Sequence, residues 1–217
     1  MLNGPSYGPQ AGGAPQQLIV LLHGVGADGQ DLIGLAPALA PLLPHARFVA
    51  PDGPEPCDMA PYGRQWFSLR DRRQAPMLAG ARRTAAKVDT LIDDLLARHD
   101  LPASRLALVG FSQGTMMALH AAPRRADPVA AVLGFSGALL GPETLAAELR
   151  SRPPVMLIHG DADEVVPVAA LDQAVAALAA CEVPVQWLVR PGLPHSIDEV
   201  GLSEGGRFLR AMLRAGA

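Results

Sequence analysis

The sequence predicts an α/β fold, a mostly parallel central sheet flanked by helices. Three observations predict it. Short, continuously apolar segments recur along the chain, segments of helical periodicity alternate with them, and turns rich in glycine and proline separate the two kinds. A strand covered by helices on both faces reads as an unbroken apolar run, and β-α alternation is the pattern of a parallel sheet.

Taken in order, Met1–Pro15 is rich in Gly and Pro and is expected to be loosely ordered. Strands are expected at Gln17–Leu22, Arg47–Ala50, Leu106–Val109, Ala130–Gly134, Val155–His159 and Val185–Val189. Between them, Ala79–His99 carries Val88, Leu91, Ile92, Leu95 and Leu96 at helical spacing. Thr115–Ala122 reads as a helix, and Glu143 and Glu148 belong to a surface helix. Val168–Ala180 is a further helix, with Pro167 suited to its start. Gly205–Arg214 sets Phe208, Leu209, Met212 and Leu213 on one side. Pro51–Ala60 is the one long irregular loop, a type that often carries function. No repeat, linker or large lid domain interrupts the series, so residues 1–217 are expected to form a single domain.

Bulk properties narrow the function classes. With 49% hydrophobic residues, a net charge of −3 and only scattered basic pairs, the chain lacks the electrostatic footprint of a nucleic-acid binder. Cys57 and Cys181 form neither a disulfide framework nor a C-x-x-C pair, and the first 17 residues lack a secretory pattern. The longest apolar run, Leu18–Leu22, is too short to span a bilayer. A cytoplasmic location without stable membrane insertion is therefore expected, as a monomer or a homodimer.

Chemistry concentrates at Gly110-Phe111-Ser112-Gln113-Gly114, between an apolar strand and a helix. Strand, G-x-S-x-G, helix is the nucleophile elbow of α/β-hydrolases. Its serine sits on a strained turn, and the flanking glycines let the backbone pass closely. The competing role for Ser112 is that of a helix N-cap.

A nucleophilic serine needs a base and an acid, which in this fold follow it in the order Ser, Asp or Glu, His. Of six histidines, only His120, His159 and His195 follow Ser112. His120 lies roughly 12 Å along the next helix, out of reach. No acid fits well between Ser112 and His159. His195 stands in a loop after the last strand, where α/β sites gather, and is the preferred base. The acid then comes from Asp161, Asp163 or Glu164. Asp163 is preferred, because Asp161 directly follows Gly160 and is suited to stabilising the turn; the competing role of Asp163 is helix capping.

Oxyanion donors are expected from the Gln113 N–H and from the glycine-rich loop Leu22-His23-Gly24-Val25-Gly26-Ala27-Asp28, with Val25 ahead of Gly24. His23 is expected to hydrogen-bond within that loop without transferring protons. Dinucleotide binding is disfavoured there, since Asp52 is the only acid near the end of a second strand and Gly-Pro follows it. Gly134-Phe135-Ser136-Gly137 is a weaker echo of the elbow.

Together with Gly160-Asp161-Ala162-Asp163-Glu164-Val165-Val166-Pro167 and His195-Ser196-Ile197, these blocks resemble the carboxylesterase/phospholipase family of α/β-hydrolases, which includes bacterial carboxylesterases and acyl-protein thioesterases. The resemblance runs from about Gln17 to the C-terminus. It implies Ser112 as nucleophile, Asp163 as acid, His195 as base, Val25 and Gln113 as oxyanion donors, and Trp66 as a wall of the substrate site. Pro194 departs from the glycine that family members often carry before the histidine. The implied activity is cleavage of small short-to-medium acyl esters through an acyl-enzyme, without metal or organic cofactor. The alternatives are an acyl-thioesterase or lysophospholipase with the same triad, and a non-catalytic binding protein. Met59, Ala60, Pro61, Phe67, Met77 and Leu78, near Trp66, serve either an acyl groove or packing.

Overall fold

In the computed structural model, which describes residues 2–215, seven strands form one sheet. They are β1 (Ser6–Tyr7), β2 (Gln17–Leu22), β3 (Ala46–Val49), β6 (Leu106–Phe111), β7 (Ala131–Phe135), β8 (Val155–Gly160) and β9 (Val185–Arg190). Their spatial order is β1-β3-β2-β6-β7-β8-β9, parallel throughout except for β1. A separate antiparallel pair joins β4 (Glu55–Pro56) to β5 (Arg64–Gln65).

The apolar runs are explained by two cores, one on each face of the sheet. Along β2, Leu18, Val20 and Leu22 enter one core while Ile19 and Leu21 enter the other. In β6, Leu106 and Leu108 divide in the same way from Ala107 and Val109. The first core is closed by α3 (Gln74–His99), α4 (Gln113–Ala121), α5 (Pro142–Glu148) and α6 (Ala169–Ala180). The second is closed by α1 (Gly29–Leu32), α2 (Ala36–Leu39) and α7 (Glu199–Ala215). Alternation at period two with both faces covered leaves few polar positions in a central strand. The outermost strand, β9, escapes this rule and leaves Trp187 55% exposed.

Two expectations are corrected. Within the segment 1–15, expected to be loosely ordered, residues 3–7 are held to the sheet edge, and Met1 lies outside the described residues. There β1 pairs with β3, and carbonyls of Asn3 and Pro5 accept the N–H groups of Asp52 and Ala50. Backbone pairing, which composition does not reveal, decides the order of this segment. Likewise, Pro51–Ala60 is not wholly irregular, because Glu55–Pro56 forms the first strand of the β4–β5 hairpin.

Candidate active site

Loops leaving the carboxyl ends of β2, β6, β8 and β9 supply the side chains of interest, the usual place for a site in a parallel sheet. Ser112 has φ +52° between β6 and α4. A non-glycine residue in that region is strained, and such strain gathers at functional turns. Although Ser112 occupies the N-cap position of α4, its hydroxyl caps nothing. Close approach explains the second glycine of the elbow: a Cβ on Gly114 would lie 1.8 Å from the Leu22 carbonyl oxygen.

His195 and Asp163 meet. The His195 Nδ1 and Asp163 Oδ2 are 2.7 Å apart. Nδ1 donates to the carboxylate, which leaves Nε2 as the ring nitrogen without a proton. The ring also packs on Phe111, the residue before Ser112, at a centroid distance of 4.9 Å. Among the described residues no side chain hydrogen-bonds to the Ser112 hydroxyl. Such contacts commonly tighten only when substrate is bound.

Asp163 also caps, with its other oxygen. Oδ1 accepts the N–H groups of Val165 and Val166 at 2.9 and 2.8 Å. Burial raises the carboxyl pKa, but donation from His195, Val166 and Val165 outweighs it and leaves the group below its ordinary range. Asp161 serves a different purpose, since its Oδ1 accepts the Gly192 N–H at 2.6 Å and so ties the β8 loop to the loop carrying His195. The two loops are knitted further by the Ala162 N–H, which donates to the Leu193 carbonyl.

The glycine-rich loop after β2 folds against the β4–β5 hairpin. N–H groups of Gly26 and Ala27 are spent on the carbonyls of Arg64 and Gly24. Among the described residues, neither Gly24 nor Val25 donates to a protein acceptor. His23 stays inside the protein, with Nδ1 donating to the Gly24 carbonyl at 2.7 Å and Nε2 accepting the Gly53 N–H at 2.8 Å. These partners require the neutral ring, and burial lowers its pKa accordingly.

Trp66 is corrected as a substrate wall. It is 0% exposed, and its indole Nε1 donates to the His23 carbonyl at 2.9 Å. A fully buried ring bracing the glycine-rich loop offers no face to a ligand. Its neighbours divide: Phe67 and Leu78 are buried, while Met59 is 48% exposed. Ser136 has the same strained backbone as Ser112, φ +48°, but is 1% exposed and its hydroxyl has no partner. A cavity of about 740 Å³ between the N-terminal segment and α3, lined by Asn3, Asp52, Arg64 and Lys87 among others, is lined by none of Ser112, Asp163 and His195.

Residues 10–213 match the family model described as Phospholipase/Carboxylesterase. The chain belongs to the phospholipase/carboxylesterase family. It is 33% identical over 191 residues to esterase YpfH of Escherichia coli (strain K12), covering 84% of this chain and 77% of that protein. It is 29% identical to acyl-protein thioesterase 1 of Mycosarcoma maydis, with 95% of both chains covered. Among solved structures, esterase PE8 superposes with a TM-score of 0.93 at 41% identity, over 98% of this chain and 99% of that one. This member of the phospholipase/carboxylesterase family is thus an α/β-hydrolase with esterase and thioesterase relatives. Among its described residues, no helix is long and apolar enough to cross a membrane.

Sequence reasoning missed two supporting side chains at the family site. The sequence points to the backbone N–H of Gln113 alone, yet its buried side chain accepts from the Trp66 N–H and donates to the Phe67 carbonyl. His159, set aside as a base, lies against Asp163. The run His159-Gly160-Asp161-Ala162-Asp163, an imidazole four residues before a carboxylate, was the available signal.

Proposed function

We propose that the protein is a serine hydrolase that cleaves short-to-medium acyl esters through an acyl-enzyme. The observation that carries this reading is the His195–Asp163 hydrogen bond of 2.7 Å, with the same ring packed on Phe111, the residue before the strained Ser112 turn. In this reading, His195 Nε2 takes the Ser112 proton as the hydroxyl attacks the ester carbonyl. Asp163 keeps the proton of His195 on Nδ1 and stabilises the imidazolium that forms. N–H groups of Val25 and Gln113 receive the oxyanion. His195 then returns the proton to the leaving alcohol, and a water activated by the same ring releases the acid. Nothing in this sequence of steps requires a metal or an organic cofactor.

Exposed Met59, Tyr62 and Val165 support an acyl substrate. Met59 and Tyr62 stand on the hairpin that braces the glycine-rich loop, and Val165 stands on the loop that bears Asp163. A thioester reading is favoured by one observation, the full-length likeness to an acyl-protein thioesterase. The same steps serve it, with a thiol as leaving group.

Labelling with a fluorophosphonate, together with rates on p-nitrophenyl esters of increasing acyl length and on acyl-thioesters, tests the proposal. Labelling and turnover are expected in the native protein and neither in Ser112→Ala. Retained labelling or substantial turnover in a folded Ser112→Ala protein would overturn it.

A further inference from the structure

The imidazole of His159 is a buried ring that the proposed reaction does not use. Its side chain is 2% exposed and sits near the end of β8, a strand hydrogen-bonded on both sides within the sheet. Its Nε2 lies 2.8 Å from the Val166 carbonyl oxygen and 3.3 Å from Asp163 Oδ2. A carbonyl oxygen can only accept, so the hydrogen of the ring is on Nε2. The ring also lies against the carboxylate, 3.3 Å from Oδ2, the atom that holds His195, while its hydrogen bond goes to Val166.

We infer that His159 is a positioning residue that locks the Asp163 carboxylate in the orientation His195 needs. The inference rests on the serine-hydrolase reading above. The turn Asp163–Val166 is pinned from two directions: the Val166 N–H donates to Asp163 Oδ1, and the Val166 carbonyl accepts from His159. Asp163 lies on a loop, whereas His159 lies on a paired strand, so the rigid element supplies the reference position. Without the Nε2–H, the carbonyl of Val166 loses its side-chain partner, and the turn whose N–H groups hold Asp163 Oδ1 loses its tie to the strand. The turn and the carboxylate are then free to rotate together, and the His195 imidazole loses its fixed direction toward Ser112.

Gln places an N–H near the position of the histidine Nε2, whereas Leu fills the space with no donor. In His159→Leu, kcat on a p-nitrophenyl ester is expected to fall on the order of 10- to 100-fold, the scale of a small misplacement of reacting groups, with KM within about twofold. His159→Gln is expected to recover kcat to within about threefold of the native protein. The downfield proton resonance of the His195 Nδ1–H···Asp163 bond is expected to broaden or move in His159→Leu and to persist in His159→Gln. A folded His159→Leu protein with native kcat and an unchanged resonance overturns the inference, as does a folded His159→Gln protein as impaired as His159→Leu. Should His159→Leu fail to fold, ¹⁵N-histidine spectra of the native protein decide the matter: a His159 ring carrying its hydrogen on Nε2, protected from exchange, is required, and a ring protonated on Nδ1 alone refutes it. Failure of the hydrolase reading is separate, since it would appear as labelling or turnover that survives in Ser112→Ala.

Discussion

The side chain of Gln113 accepts the backbone N–H of Trp66 at 2.9 Å, across 47 residues of chain. Its amide donates in turn to the Phe67 carbonyl at 2.7 Å. The residue whose N–H is proposed to hold the oxyanion is thereby clamped to the segment that supports the glycine-rich loop. Gln113→Ala removes both bonds and strands two buried backbone groups, at about 1–3 kcal/mol each. Urea unfolding is expected to register a loss of about 2–5 kcal/mol, and kcat to fall on the order of tenfold or more. Native stability in this variant would show the clamp to be unimportant.

Trp66→Phe tests the correction of the substrate wall. It removes the donor to the His23 carbonyl and part of a fully buried ring. A stability loss of about 2–3 kcal/mol is expected from the stranded acceptor and the cavity together. KM for short p-nitrophenyl esters should stay within about twofold at temperatures where the variant is folded. A large rise in KM with unchanged stability would return Trp66 to the substrate site.

Asp161→Ala separates the loop clamp from the carboxylate that meets His195. Asp161 is exposed, and its bond to the Gly192 N–H restrains the loop that carries His195. The change is expected to cost no more than about 1 kcal/mol of stability while lowering kcat by about 3- to 10-fold. Asp163→Asn, by contrast, should lower kcat on the order of 10⁴-fold, because the amide no longer holds the imidazole tautomer. Comparable kcat values in the two variants would show that Asp161 shares the role assigned to Asp163.

His120 gives the protein a pH-dependent stability unrelated to turnover. Its ring is 2% exposed with Nδ1 unpartnered; burial, followed by the Arg124 charge, lowers its pKa to about 4. The folded value lies below the unfolded one, so the unfolded chain binds the extra proton between them. Stability from this group is complete above the unfolded pKa of about 6.5 and is lost as pH falls from there toward about 4, on the order of 3 kcal/mol in all. Thermal unfolding from pH 7 to pH 4 should decline less steeply in His120→Leu than in the native protein. Identical slopes would place the titration elsewhere.

Much of this molecule was legible from its residues alone. The central parallel strands announce themselves because β-α alternation and two-faced burial leave mostly apolar residues in them, as the division of Leu18 to Leu22 between the two cores illustrates. Motif and chain order single out Ser112, Asp163 and His195 before any distance is known, and the structure brings the last two within 2.7 Å. The hairpin β4–β5 and the edge strand β1 were not, since two-residue strands carry no period and are defined by a partner distant in sequence.

Local chemistry by itself determined the longer strands and helices, their alternation and the strained serine turn, because each depends on near neighbours. Only the tertiary structure decided that Trp66 is a brace, that Gln113 works through its side chain as well as its backbone, and that His159 reaches the Asp163 carboxylate. In each case the deciding quantity is the direction of a buried donor. Direction comes from the packing of one segment on another and leaves little trace in the order of residues along the chain.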